Sequence, residues 1–131
     1  MVDTNVLLDI LDKKSEWHEW SSAKLAELSE YSPLLVNPII YAEVSVGFAR
    51  IEDLDAALPT EFFRREALPW AAGFLAGKVF VDYRRRGGTR LSPLPDFYIG
   101  AHAVLRGSSL LTRDVGRFRT YFPTLALIAP N

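Results

Sequence analysis

Short apolar runs alternate along the chain with longer stretches whose apolar residues recur at helical spacing. Leu34-Leu35-Val36, bounded by Pro33 and by Asn37-Pro38, predicts a buried strand. Leu110-Leu111-Thr112 and Leu125-Ala126-Leu127-Ile128 predict two more, and Glu66-Ala67-Leu68 a weaker one. Met1-Val2-Asp3 reads as the end of a strand, followed by a short helix from about Asn5 to Leu11. Ser15 is a candidate N-cap for a helix reaching about Glu30. Asn37 caps the next, with Pro38 at its first position, where a missing N–H is harmless. Further helices are predicted from Asp53 to about Phe63, from Pro69 through Arg86, from Asp96 to Leu105 (ended by Gly107), and over Val115 to Tyr121. Continuous apolar strands alternating with helices predict an α/β fold whose parallel sheet is covered on both faces. In such sheets ligands bind beyond the carboxyl ends of the strands.

Composition narrows the chemistry. A chain of 131 residues is within the usual size of one domain, about 100–200 residues, so one domain over residues 1–131 is expected. There is no cysteine, which excludes disulfides, thiol catalysis and thiolate-held zinc. With only His18 and His102, a histidine-rich metal centre is excluded too. No apolar run has the length of a membrane span and no signal segment is visible, so a cytoplasmic protein without a membrane partner is expected. The net charge of −1 conceals a division: residues 1–63 hold twelve acids and four bases, net −8, and residues 64–131 hold eleven bases and four acids, net +7. Ten of those eleven bases are arginine, whose planar fork suits phosphate. A polyanion or a complementary protein is one reading of that division; a solvated surface is the other.

Several acids fall where the predicted strands end. Asp3 follows the first strand, Asp114 lies just past the strand ending at Thr112, and Asp96 opens a helix behind Pro95. Glu43 sits in a helix among Ile39, Ile40, Ala42, Val44 and Val46, with no base between Lys24 and Arg50. A carboxylate in apolar surroundings needs a partner, so Glu43 is expected to meet a distant arginine or a metal ion. Carboxylates gathered on one sheet edge repel, and a divalent cation removes the conflict. An all-oxygen donor set suits Mg²⁺ or Mn²⁺. The chemistry that follows is phosphodiester hydrolysis by a metal-activated water, which needs no histidine, cysteine or serine nucleophile. The plainer reading of an aspartate behind a strand is a helix cap.

Four segments, in order, resemble the PIN domain and in particular VapC-type ribonuclease toxins: Asp3-Thr4-Asn5-Val6-Leu7-Leu8-Asp9, Tyr41-Ala42-Glu43-Val44, Pro95-Asp96-Phe97-Tyr98-Ile99-Gly100-Ala101-His102-Ala103, and Leu111-Thr112-Arg113-Asp114-Val115-Gly116-Arg117-Phe118. The resemblance implies a three-layer α/β/α sandwich, with a parallel sheet of four or five strands flanked by about seven helices. It implies a Mg²⁺- or Mn²⁺-dependent endoribonuclease that acts as the toxin of a toxin–antitoxin pair. The partners it implies are a cognate antitoxin and RNA, in a homodimer or a heteromeric toxin–antitoxin assembly. Carried onto this sequence, the catalytic acids are Asp3, Glu43, Asp96 and Asp114. Asp3 and Asp96 are the principal metal ligands, Asp114 a third or water-mediated one, and Glu43 orients the ion or the attacking water. Asn5 and Thr112 are their hydrogen-bonding supports. One departure is that only Met1 and Val2 precede Asp3, so the first strand is expected to be truncated or to begin upstream. A PIN-like nuclease of RNA processing or DNA metabolism without an antitoxin is the alternative. A receiver-like signalling module is a more distant one, because no lysine follows the last strand.

Other residues invite two readings each. Arg84-Arg85-Arg86 ends a helix, where bases complement the dipole; with Arg90, Arg113 and Arg117 they are also candidate RNA contacts. Trp17, Trp20, Phe62, Phe63 and Trp70 are expected mostly in the core, with a partner groove as the other possibility. His102 is expected to be a packed or surface helix residue.

Overall fold

The structure is a computed structural model describing residues 1–131. Its elements follow the alternation read from the sequence. They run α1 (Thr4–Leu11), α2 (His18–Ser29), β1 (Leu34–Val36), α3 (Pro38–Ser45), α4 (Ile51–Ala57), β2 (Phe63–Arg65), α5 (Trp70–Arg85), α6 (Pro95–Arg106), β3 (Leu110–Leu111), α7 (Gly116–Tyr121) and β4 (Leu127–Ile128). Strands β1 and β2 pair in parallel, and so do β3 and β4.

The two pairs are joined by the first residues of the chain. Val2 forms a parallel bridge with Leu111. Its N–H donates to the Leu35 carbonyl at 3.0 Å, while Asp3 N–H donates to Leu111 and Leu111 N–H to Met1, both at 2.9 Å. Met1–Asp3 therefore lies between β1 and β3 as a fifth, very short strand. Both of its first residues are buried, Met1 being 7% and Val2 1% exposed.

Local chemistry explains most boundaries. Asn37 accepts from Ile40 N–H at 2.9 Å and Pro38 occupies the first position of α3. Gly107 ends α6 with φ of +69°, a left-handed conformation open to glycine. Three expectations need correction. Ser15 does not cap α2; its hydroxyl accepts from Trp17 N–H at 3.2 Å and donates to Asp9, and α2 begins at His18 without a side-chain cap. The helix expected from Asp53 to Phe63 stops at Ala57, because the chain turns at Pro59, whose carbonyl receives the Phe62 and Phe63 N–H groups. The weak strand expected at Glu66–Leu68 lies at Phe63–Arg65, opposite β1. Its two exposed arginines, apt for an edge strand, concealed it from an apolar-run search.

The core joins 26 buried residues, with Leu7, Ile40, Phe97, Ile99, Leu110 and Phe118 among the best covered. Helices α5 and α6 pack together, as do α1 with α2 and α3 with α6. Among the aromatics expected in the core, Phe63 is buried, and Trp20 packs against the core with the Trp17 ring edge-on to it at 6.3 Å. Phe62 and Trp70 are not core residues, being 63% and 97% exposed. Phe62 lies in the turn closed on the Pro59 carbonyl, ahead of β2, and faces solvent, while Phe63 opens β2 and is buried. No helix is long and apolar enough to cross a membrane.

Candidate metal centre

Asp3 is positioned twice, by the sheet through its backbone and by α1, which it caps. Its Oδ1 accepts from Thr4 N–H at 2.8 Å, and its Oδ2 accepts from the Thr112 hydroxyl at 2.8 Å. The Thr112 oxygen in turn accepts from Asp114 N–H at 3.1 Å and from Asn5 Nδ2 at 3.3 Å. One hydroxyl thus uses its single proton on Asp3 and both lone pairs on the neighbours. Asn5 Oδ1 accepts from Arg113 N–H at 3.2 Å and ties the loop after β3 to α1. Both supports proposed from the motifs, Asn5 and Thr112, are therefore in hydrogen-bonded contact around Asp3.

The electrostatics are unfavourable to charge. Burial, first, pushes Asp3 up from 3.8 to about 6; the Thr112 and Thr4 hydrogen bonds oppose the shift, and the charges of Asp96 and Glu43 add to it. Asp96 is raised as well, chiefly by burial and further by the charge of Asp114, against the opposing hydrogen bond from Arg117. Asp3 feels both Asp96 and Glu43, and Asp96 feels Asp114, so the four acids share one neighbourhood. Glu43 is half-buried and accepts from the Thr4 hydroxyl at 2.7 Å. Of the distant arginine or metal ion expected for Glu43, no arginine pairs with it; the Thr4 hydroxyl, 39 residues away, does, and Val46 of its supposed apolar surroundings is 88% exposed. Asp114 is exposed at the rim.

No group of three or more His, Asp or Glu side chains is drawn together into a ready-made metal cage. Mg²⁺ commonly takes only one or two protein carboxylates and fills its octahedron with water and phosphate oxygens. The donors here are all oxygen, and two of the carboxylates are ones the protein alone makes hard to ionise. A divalent cation would reverse that penalty, so the residues fit the ion. A pH dependence follows. Below the ordinary carboxylate pKa, Asp3 is protonated in both the folded and unfolded chain. Between about pH 4 and 6 only the folded form keeps its proton, so the fold loses stability through this group as pH rises. Because Mg²⁺ binds the ionised form, it should raise the Tm more at pH 7 than at pH 5. Equal shifts at both pH values in thermal melts would exclude Asp3 as a ligand.

None of the five cavities of the molecule is lined by Asp3, Glu43, Asp96 or Asp114. Asp3 is buried, Glu43 and Asp96 are half-buried and Asp114 is exposed, so the neighbourhood opens to the surface at one side, without an enclosed pocket of the kind that buries small ligands.

The arginines expected to meet RNA are mostly engaged within the chain. Arg113 grips the buried Asp9 with Nε and, at 3.0 Å, with Nη2, and its guanidinium lies 5.4 Å from the Trp17 ring centre. Arg117 pairs with Asp96 at 3.1 Å, inside the acidic neighbourhood. Arg84 binds the Gly88 and Arg90 carbonyls at 3.2 and 3.1 Å, and Arg86 pairs with Asp82 at 3.1 Å over the Tyr121 ring. Arg85 and Arg90 are exposed. Sequence reasoning missed Thr4 and Asp9. A Thr directly behind an N-cap aspartate, and a second acid on the same short helix, were the signals available.

Residues 1–122 match the family model of the PIN domain, and the chain belongs to that family. Among solved structures, it is similar to a chain of VapBC2 from Rickettsia felis, solved with a fragment of promoter DNA: TM-score 0.77 and 18% identity over 100% of this chain and 98% of that one. It is also similar to VapBC-1 from nontypeable Haemophilus influenzae, at TM-score 0.72 and 21% identity over 98% and 96%. A toxin–antitoxin complex from Klebsiella pneumoniae gives TM-score 0.68 and 20% identity over 99% and 96%. At these identities the likeness establishes the fold. No curated protein matches the chain.

Proposed function

We propose that this protein is a divalent-metal-dependent endoribonuclease of the VapC kind, the toxin of a toxin–antitoxin pair. The observation that supports it most is Asp3: a buried carboxylate, capped and hydrogen-bonded in place, whose ionisation is opposed by burial and by two neighbouring acids. A structural cap has no need of those neighbours. In this reading Asp3 and Asp96 hold Mg²⁺ or Mn²⁺, with Asp114 at the rim as a third or water-mediated ligand. The ion supplies Lewis-acid catalysis to phosphodiester hydrolysis. Thr112 and Thr4 hold the two Asp3 oxygens, so the carboxylate does not reorient when it loses its proton. Glu43, anchored on one oxygen by Thr4, keeps the other free to orient an attacking water. Arg117 offsets the charge on Asp96 until the ion arrives. The open side suits a polymer substrate, and a cognate antitoxin fits the company of the fold, which includes a toxin–antitoxin complex.

The test is a fluorogenic RNA incubated with purified protein. Cleavage is expected with Mg²⁺ or Mn²⁺, loss in excess EDTA, and recovery when metal is restored. Undiminished cleavage in EDTA would overturn the reading.

A further inference from the structure

His102 is the one histidine sealed from solvent, at 0% exposure, and no step above uses it. Both ring nitrogens have partners. Nδ1 lies 3.1 Å from Asn37 Nδ2, and Nε2 lies 3.1 Å from Glu66 Oε1. Arg106 Nε binds the other Glu66 oxygen at 2.8 Å, and its guanidinium, ahead of the His102 hydrogen bond, holds that carboxyl below its usual range. The Asn37 amide has no freedom to turn. Its Oδ1 receives Ile40 N–H as the cap of α3, so its NH₂ faces the ring, and an NH₂ only donates. Nδ1 must therefore be the bare acceptor, and the ring proton sits on Nε2, donated to Glu66. Apart from the Met1 sulfur at 4.0 Å, His102 is the only side chain that receives the Asn37 NH₂.

This contact joins two helices that each carry a proposed site acid. Asn37 caps α3, and Glu43 follows six residues later; Asp96 lies on α6, and His102 follows six residues later. Six residues are about 9 Å of helix. The helices pack on one another, tied at one end by Asn37 and His102, while at the other end Asp3 feels both Glu43 and Asp96. A slide or rotation of α3 against α6 would change the separation of the two acids. A cap alone does not prevent it, because the Asn37–Ile40 bond lies within α3.

We propose that His102 is a positioning residue for the acidic site: as the Nε2–H tautomer it fixes α3 to α6 through Asn37 and so sets Glu43 against Asp96. This rests on the nuclease reading above. The test compares two conservative variants. His102→Asn places an amide oxygen near the Nδ1 position and keeps the acceptor for Asn37. His102→Gln places its amide near Nε2 and keeps the donor to Glu66. His102→Gln should lower kcat for RNA cleavage by tenfold up to about a hundredfold, the cost of roughly 1 Å of misplacement, with KM within about twofold. His102→Asn should keep most of kcat. A purely structural role predicts losses that follow each variant's thermal stability, in whatever order. Asp96→Asn is the control: if it cleaves normally, Asp96 is not part of the cleaving site, and the acidic-site reading falls and this role with it. If Asp96→Asn is inactive and the two His102 variants cleave alike, the positioning role alone falls. Should either variant fail to fold, ¹⁵N chemical shifts of the wild-type ring decide. A protonated Nε2 and bare Nδ1 are expected; a proton on Nδ1 overturns the proposal.

Discussion

Asp96→Asn should lower the rate of metal-dependent RNA cleavage by about 10²–10⁴-fold and leave the fold intact. A ligated ion contributes several kcal/mol to stabilising the charge that develops on a reacting phosphate, and each 1.36 kcal/mol is a factor of ten. The substitution is nearly isosteric. It removes a carboxylate that burial and Asp114 already make hard to ionise, so the metal-free protein gives up little. What is lost inside the protein is the pair with Arg117, whose side chain is 45% exposed and can turn to water. Asp3→Asn should slow cleavage to a similar degree. Initial rates at saturating Mg²⁺, alongside a urea midpoint, check both; a variant that unfolds, or one that cleaves within tenfold of wild type, contradicts the assignment.

Arg113→Ala should destabilise the protein by about 3 kcal/mol, the cost of leaving a buried charge without its partner. Asp9 is 3% exposed and accepts from Arg113, from the Ser21 hydroxyl at 2.7 Å and from the Ser15 hydroxyl at 3.0 Å. Burial works against its charge, but these hydrogen bonds and the guanidinium prevail and hold its carboxyl below the usual range. Such a group stabilises the fold above the ordinary carboxylate pKa, and that contribution is lost as pH falls through its own lower value. The difference between wild type and Arg113→Ala should therefore narrow in acid. If Arg113 were instead a free RNA contact, stability would hold and the salt dependence of RNA binding would flatten. Urea denaturation at pH 7 and at the lowest pH at which the wild type is still folded separates the two.

The acids of the proposed site stood out in the sequence because each is tied to a local signal. Asp3 follows a strand, Asp96 follows Pro95, and Glu43 is a lone charge in an apolar stretch. Their surroundings were less legible. Glu43 looked buried and unpartnered because a one-dimensional pattern cannot register Thr4, 39 residues away. Arg113 and Arg117 looked free because their carboxylates lie 104 and 21 residues distant. The β2 strand was misplaced because two of its three residues are arginines that face solvent at an edge.

By itself the chain determined the events that need only near neighbours: the Asn37-Pro38 start of α3, the Gly107 stop of α6, and the apolar runs of β1 and β3. Caps, ring-constrained φ angles and unbroken apolar runs act over a few residues, so their causes sit beside their effects. Tertiary structure alone decided which arginine meets which acid, why His102 is sealed inside, and how α3 stands against α6. Those outcomes depend on hydrogen bonds that close only after distant segments are packed, and the burial that gives them their strength does not exist until the fold does.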